Sequence, residues 1–152
     1  MEDVIIIVNP AAGGGAAGRR WPQLAVRLRK DGHAFDDVLT SGRGDAVLIA
    51  QRAAHEGREM VVVVGGDGTV NEIINGILGT SAGQPPAIGV IPMGTGTDLC
   101  RTIGIPLDPV AAASVVWDGM RRRIDAGRIT FSGQEGQPSR YFLNVADAGI
   151  GG

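Results

Sequence analysis

The sequence is poor in the residues that build disulfides and metal centres. It has one cysteine, Cys100, and two histidines, His33 and His55, among 152 residues. A single cysteine excludes a disulfide within the chain, and the absence of a CxxC pair argues against a structural zinc site. This composition favours a reducing compartment, so we expect a cytoplasmic protein in which these three residues have no functional role.

The chain also lacks an excess of charge and a long apolar run. Its net charge is -2 and its pI is about 5.6, which argues against nucleic acid as a partner. The apolar runs at residues 4–8 and 61–64 are too short to cross a bilayer, and the first residues are acidic where a signal peptide would be basic. Any membrane contact is therefore expected to be peripheral, and any recognition of phosphate must be local.

Glycine is abundant, and its main cluster follows a run of four valines at residues 61–64. The β-branched run predicts a buried central strand. Gly65 and Gly66 follow it, and Asp67 with Gly68 is expected to complete a tight turn. Thr69 is the predicted N-cap of the next helix, with Glu72 three residues later to complete a capping box.

This strand, glycine turn and helix is typical of a phosphate-binding site, because the N–H groups at a helix start and the positive end of its dipole attract anions. A purely structural interpretation is also available, in which Thr69 and Glu72 cap the helix and the glycines only turn the chain. That interpretation explains neither the second glycine nor Asp67.

The same pattern occurs twice more. The strand at residues 4–8 leads through Gly13, Gly14, Gly15 and Gly18 to a helix at 21–30, and the strand at 87–91 leads through a glycine loop to a short helix at 99–103. Between them we predict a strand at 33–39 that ends at Thr40 and a helix at 45–56. After them, Asp108 and Pro109 are predicted to start a helix that runs through Trp117.

These alternating elements predict an α/β fold, an open parallel sheet with helices on both faces, followed by the start of a mostly β second domain. The loops at the carboxyl ends of parallel strands share one edge, where ligands bind in open α/β sheets. We therefore expect the three glycine loops and the Thr40 turn to form one site.

The character of the sequence changes near Met120, after which residues 128–131 and 141–145 predict an antiparallel hairpin. We place a nucleotide-binding domain at 1–119 and the beginning of a β-sandwich domain at 120–152, which we expect to be interrupted at Gly151-Gly152. A lone hairpin is marginally stable, so this region is expected either to be disordered or to pair two chains into a homodimer.

Two other nucleotide-binding motifs compete with this interpretation. Gly13, Gly15 and Gly18 form a GxGxxG pattern, with Asp36 and Asp37 near the place of a ribose-binding acid, which is the pattern of a dinucleotide-binding oxidoreductase. Four residues separate the strand from the first of these glycines, whereas that fingerprint normally follows its strand directly. A P-loop is not expected, because Arg19 and Arg20 stand at the Lys and Ser/Thr positions.

Three segments carry a resemblance to a known family: VNPAAGGG at residues 8–15, GGDGTVNE at 65–72 and IPMGTGTD at 91–98. In this order and spacing they resemble the catalytic domain of the diacylglycerol kinase and sphingosine kinase family of lipid kinases. GGDGT alone also occurs in NAD kinases and phosphofructokinases. RYFLNVA at 140–146 resembles the entry into the family's second domain.

The resemblance implies an ATP-dependent kinase that phosphorylates a lipid with a free hydroxyl, with ATP and Mg²⁺ as cofactors. It implies that Asp67 is catalytic and lies near the phosphates and the metal ion, and that the catalytic base lies beyond Gly152. The nucleotide-contacting residues that it implies are Asn9, Pro10, Ala11, Ala12, Gly13, Thr40, Gly66, Asp67, Gly68, Thr69, Val70, Asn71, Glu72 and Thr95. The chain departs from the family at Thr97, where Asn is usual, and at the inserted Asp147-Ala148. A non-catalytic nucleotide-binding module is the third class that the sequence allows.

Overall fold

A computed structural model describes residues 2–81, 83–131 and 139–143. The elements in chain order are β1 (Val4–Val8), α1 (Ala12–Lys30), β2 (Asp36–Leu39), α2 (Asp45–His55), β3 (Met60–Gly65), α3 (Asp67–Leu78), β4 (Ala87–Pro92), α4 (Asp98–Ile103), α5 (Pro109–Asp118), β5 (Gly127–Thr130) and β6 (Ser139–Phe142).

The first four strands form one parallel sheet in the order β2-β1-β3-β4. Strand β3 lies in the interior of the sheet, and its four valines are 0% exposed. Such a strand is covered on both faces, so it has no polar position, and this is why an uninterrupted β-branched run forms it. The predicted open parallel sheet is confirmed.

Helices cover both faces of this sheet, as predicted. On one face, Ile6 and Val8 of β1 pack with Trp21 and Leu24 of α1 and with Ala113 of α5. The opposite face, which carries Ile5, Ile7, Val61 and Val63, packs against α2, α3 and α4. Alternate residues of one strand thus belong to two different cores, which follows from the two-residue period of a strand.

Several predicted boundaries differ from the observed ones. Strand β2 starts only at Asp36, three residues later than expected. Helix α1 starts at Ala12, but Gly13, Gly14 and Gly15 have φ values of 60°, 62° and 84°, so its regular part follows Gly15. Left-handed backbone of this kind suits glycine because it has no Cβ. The start of α5 is confirmed, with Asp108 accepting a hydrogen bond from the Ala111 N–H at 2.9 Å.

Strands β5 and β6 form a separate two-stranded antiparallel sheet, which confirms the predicted hairpin. Strand β6 lies against α3, and Tyr141 and Leu143 pack on the core that α3 shares with the parallel sheet. Residues 144 and 145 of the predicted second strand, the inserted Asp147-Ala148 and the final glycines lie outside the described residues. No helix in the described part of the chain is long and apolar enough to cross a membrane.

Candidate functional site

The three glycine loops contact one another at the carboxyl edge of the sheet. A Cβ built on Gly13 would lie 2.5 Å from the carbonyl oxygen of Met93, and one built on Gly94 would lie 2.6 Å from the Cα of Gly66. No side chain fits at such distances. Glycine is therefore required at these positions partly because the loops pack closely against one another. The predicted convergence of the three loops is present.

A side-chain hydrogen bond joins the first loop to the second. The Asn9 Nδ2 donates to the Thr69 hydroxyl at 3.0 Å, while the Asn9 Oδ1 accepts from the Ala11 N–H at 3.1 Å. The predicted capping box is wrong, because α3 starts at Asp67 after an extended Gly66 and has no side-chain cap. Thr69 therefore lies inside the first turn of α3, where it is 6% exposed and its hydroxyl is the partner of Asn9.

Asp67 joins the second loop to the third. We had expected Asp67 to lie in a turn before α3, but it is the first residue of that helix. Its carboxylate accepts hydrogen bonds from the N–H groups of Asp98 at 2.9 Å and Leu99 at 3.4 Å, and its own N–H donates to the Gly96 carbonyl at 3.1 Å. Asp67 thus supplies acceptors for the first N–H groups of α4. Asp98 itself makes no capping bond, and its side chain is 76% exposed.

The Asp67 carboxylate can also serve as a ligand of a divalent cation. Each carboxylate oxygen has two lone pairs, so the two backbone hydrogen bonds leave acceptor capacity on both oxygens. Mg²⁺ commonly binds through one or two carboxylates together with substrate phosphates and water. The described residues contain no group of three His, Cys, Asp or Glu side chains that could hold a metal ion. One carboxylate suits an ion that takes its other ligands from a nucleotide and water.

The Thr40 turn borders the same edge of the sheet. Thr40 is 8% exposed, and its N–H donates to the Val8 carbonyl at 2.8 Å, next to Asn9. Asp45 at the start of α2 accepts from the N–H of Ser41 at 2.7 Å and from its hydroxyl at 3.0 Å. These hydrogen bonds from Ser41 lower the pKa of Asp45 below its ordinary value. The turn after β2 is thereby fixed beside the first glycine loop.

The remaining predicted residues differ in what they offer to a ligand. Val70 is 3% exposed and belongs to the core on the α3 face, so its side chain has a structural role. Gly68 and Thr95 are exposed, and Glu72 is half-buried. The exposed Asn71 donates to the Tyr141 carbonyl at 3.3 Å. The other predicted contacts, Pro10, Ala11 and Ala12, lie between β1 and the glycines that open α1.

One cation lies beside the first glycine loop, because the Arg19 guanidinium donates to the Gly14 carbonyl at 3.4 Å. Sequence reasoning placed Arg19 only as a departure from the P-loop pattern. It also missed Asn75, which is 8% exposed on α3 and hydrogen-bonds to β6. The one available signal was its spacing, four residues after Asn71 and eight after Asp67, which places three polar residues on one face of α3.

The dinucleotide-binding alternative is not supported by the geometry. Asp36 lies at the amino end of β2, away from the glycine loops, and its carboxylate is 2.5 Å from a guanidinium nitrogen of Arg58. Asp37 accepts from the Trp21 indole N–H at 2.8 Å and pairs with Arg29 at 2.5 Å. Both carboxylates are engaged in ion pairs, and both precede the carboxyl end of β2.

Comparison with known proteins gives a consistent result. The family model described as the diacylglycerol kinase catalytic domain matches residues 3–129. A diacylglycerol kinase of Staphylococcus carnosus (strain TM300) is 38% identical over 144 residues, which cover 95% of this chain and 44% of the relative. A diacylglycerol kinase of Staphylococcus aureus (strain JH9) is 38% identical over 146 residues, which cover 95% of this chain and 42% of the relative.

A solved structure agrees with these relatives. The crystal structure of a diacylglycerol kinase from Bacillus anthracis strain Sterne matches with a TM-score of 0.68 and 31% identity, over 84% of this chain and 44% of that chain. The chain thus spans less than half the length of the relatives that it matches. With the three motifs, the parallel sheet and the joined glycine loops, these matches show that the chain belongs to the diacylglycerol kinase catalytic-domain family.

Proposed function

We propose that the chain is the nucleotide-binding part of an ATP-dependent lipid kinase, which transfers the γ-phosphoryl group to a hydroxyl of a diacylglycerol-like or sphingoid-like lipid. The observation that carries this proposal is the direct connection of the three glycine loops at one sheet edge, through the Asn9–Thr69 bond, the Gly13–Met93 contact and the Asp67–Asp98 bond. Phosphoryl transfer depends mainly on positioning and on neutralising charge, and joined loops of this kind supply rigid positions.

The start of α3 is the proposed phosphate-binding element. Its helix dipole places partial positive charge beside the exposed Gly68, and the Arg19 guanidinium lies beside the neighbouring glycine loop. The remaining proposed nucleotide contacts line the same edge, from Asn9 to Gly13, at Thr40, from Gly66 to Glu72 and at Thr95. The side chain of Val70 is buried and its N–H donates to the Gly66 carbonyl at 3.1 Å, so Val70 offers no free donor to the nucleotide.

Asp67 is the proposed metal-binding and catalytic residue, because it is the carboxylate that joins the second and third loops. A bound Mg²⁺ would neutralise charge that develops on the transferred phosphoryl group. The chain's own contribution is to hold the Asp67 carboxylate in one orientation, through the N–H groups of Asp98 and Leu99. A positioned carboxylate loses little entropy when it binds the ion.

We place the division between the nucleotide-binding domain and the second domain at 119/120, and we expect the base that removes the lipid hydroxyl proton beyond Gly152. Because the chain spans less than half of its relatives, we propose that it binds nucleotide without phosphorylating lipid by itself. Peripheral membrane contact, a cytoplasmic location and pairing of two chains through an open edge of the β5–β6 hairpin belong to the same proposal.

A thermal-denaturation series tests nucleotide binding. A ligand that binds only the folded state at a hundredfold excess over its Kd adds about 2.7 kcal/mol, which corresponds to a rise in Tm of roughly 5–10 °C for a chain of this size. We expect this rise with ATP or ADP plus Mg²⁺. A clear rise with NAD and none with millimolar ATP would exclude the kinase assignment.

Asp67→Asn, compared with Asp118→Asn, tests the metal ligand. Both variants remove one negative charge, and Asp118 is an exposed residue at the end of α5. We expect Asp67→Asn to lose the part of the nucleotide affinity that depends on Mg²⁺, and Asp118→Asn to keep it. Equal Mg²⁺ dependence in the two variants would contradict the role of Asp67.

A further inference from the structure

The side chain of Asn75 forms two hydrogen bonds with the main chain of a single residue of β6. The Asn75 Nδ2 donates to the Tyr141 carbonyl at 2.9 Å, and the Tyr141 N–H donates to the Asn75 Oδ1 at 2.9 Å. A side-chain amide has the donor and the acceptor of a peptide group. In an antiparallel pair, successive residues turn their polar groups alternately to the partner strand and away from it. Asn75 therefore replaces a neighbouring strand at the β6 edge that faces α3.

Asn75 belongs to a polar line on α3 with Asp67 and Asn71, which are spaced four residues apart and so share one face of the helix. The Asn75 Nδ2 also donates to the Asn71 carbonyl at 2.8 Å, and Asn71 reaches the same Tyr141 carbonyl at 3.3 Å. At the other end of the line, Asp67 binds the first N–H groups of α4. One helix face thus holds both the loop after β4 and strand β6.

A shallow depression lies where these two contacts meet. Asp67 and Asn71 supply its polar lining, and the apolar lining consists of Val70, Ile74, Leu99 and Leu143. Leu143 comes two residues after Tyr141, so the clamp on Tyr141 determines which residue of this segment lies next to Asp67. A slip of β6 by one residue would turn its side chains to the opposite face.

We propose that Asn75 is a positioning residue that fixes the register of β6 on α3 and thereby places Leu143 beside Asp67. The inference rests on the proposed function, because the position of Leu143 matters for the reaction only if nucleotide binds at Asp67. Packing alone would be served by an apolar residue, as at Ile73, Ile74 and Ile77 on the same helix. A buried amide with both groups satisfied instead selects one arrangement of the elements that it joins.

Amide hydrogen exchange of the 152-residue chain, measured by NMR, tests the clamp. Asn75→Ala removes both hydrogen bonds and should lower the protection of the Tyr141 amide about tenfold or more. Asn75→Asp keeps the acceptor, so the Tyr141 amide should stay within about threefold of its original protection. Ile77→Val is the control. It shortens a buried side chain of α3 that has no polar atom and so cannot hydrogen-bond to β6. If all three variants change Tyr141 protection equally, Asn75 only stabilises the helix and the proposal is wrong.

A second measurement tests the link to the nucleotide site. In the unchanged chain, ADP with Mg²⁺ should shift the methyl signals of Leu143. In Asn75→Ala the Kd for ADP should stay within about twofold, since Asn75 is not among the proposed nucleotide contacts, but the Leu143 shift should be lost. A Leu143 shift that persists in Asn75→Ala would overturn the positioning role. If the unchanged chain does not bind ADP, the proposed function fails. The exchange of the Tyr141 amide still tests the hydrogen bonds of Asn75, because that measurement needs no nucleotide.

Discussion

The hydrogen bond between Asn9 and Thr69 offers a direct test of how the first two glycine loops are held together. We compare Thr69→Ser with Thr69→Ala. Both variants remove the same methyl group, but the serine keeps a hydroxyl that can accept from the Asn9 Nδ2, as threonine does at 3.0 Å. The difference between the two variants therefore isolates the hydrogen bond from the packing of the side chain.

The structure sets the size of the expected difference. Loss of an acceptor leaves the Asn9 amide donor without a partner, which costs about 1–3 kcal/mol where water cannot replace that partner. Thr69 is 6% exposed, but Asn9 is half-buried, so water can reach part of the amide. We therefore expect the free energy of unfolding of Thr69→Ala to be lower than that of Thr69→Ser by about 1 kcal/mol. For a chain of this size this corresponds to roughly 2–4 °C in Tm.

Urea denaturation of both variants, with and without Asn9→Ala, measures this difference. In the Asn9→Ala background the donor is absent, so Thr69→Ser and Thr69→Ala should have the same free energy of unfolding within about 0.3 kcal/mol. If the serine retains its advantage of about 1 kcal/mol there, the hydroxyl stabilises the chain through some other partner. The two loops would then not be joined in the way that the geometry indicates.

Three further predictions concern the same edge and the opposite edge of the sheet. Gly13→Ala should unfold the chain at a lower temperature and weaken nucleotide binding, because the new Cβ would lie 2.5 Å from the Met93 carbonyl oxygen at a residue with φ of 60°; normal Tm and affinity in this variant would refute the close packing. Asp67→Asn should change the free energy of unfolding by less than about 1 kcal/mol, because Asn and Asp are comparable acceptors at a helix start. A global loss of fold in thermal scans would contradict this prediction. Arg58 lowers the pKa of Asp36 below its ordinary value of 3.8, so this pair stabilises the folded state above that pH and the stabilisation is lost as the pH falls through the lowered pKa. The Tm difference between the unchanged chain and Arg58→Met should accordingly shrink in acid below pH 3.8, and a difference that grows in acid would be the wrong sign.

Much of the candidate site could be predicted from the sequence because the fold places the ends of parallel strands together. The runs before Asn9, Gly65 and Pro92 identify three strands, and any parallel arrangement of them brings their loops to one edge. The start of α3 could not be predicted in the same way. Thr69 followed by Glu72 is a good local capping signal, but Asn9 and the extended Gly66 favour a start three residues earlier.

The sequence by itself determined the type and order of the elements. Unbroken β-branched runs, glycine loops and cap residues such as Asp108 act over a few residues, so they can be read without knowing what lies nearby in space. Only the tertiary structure decided which polar groups are partners. Asp67 and Asp98 are 31 residues apart, Asn9 and Thr69 are 60 apart, and Asn75 and Tyr141 are 66 apart. A hydrogen bond depends on distances of a few tenths of an ångström between such groups, and these distances are set only when the sheet and its helices have packed.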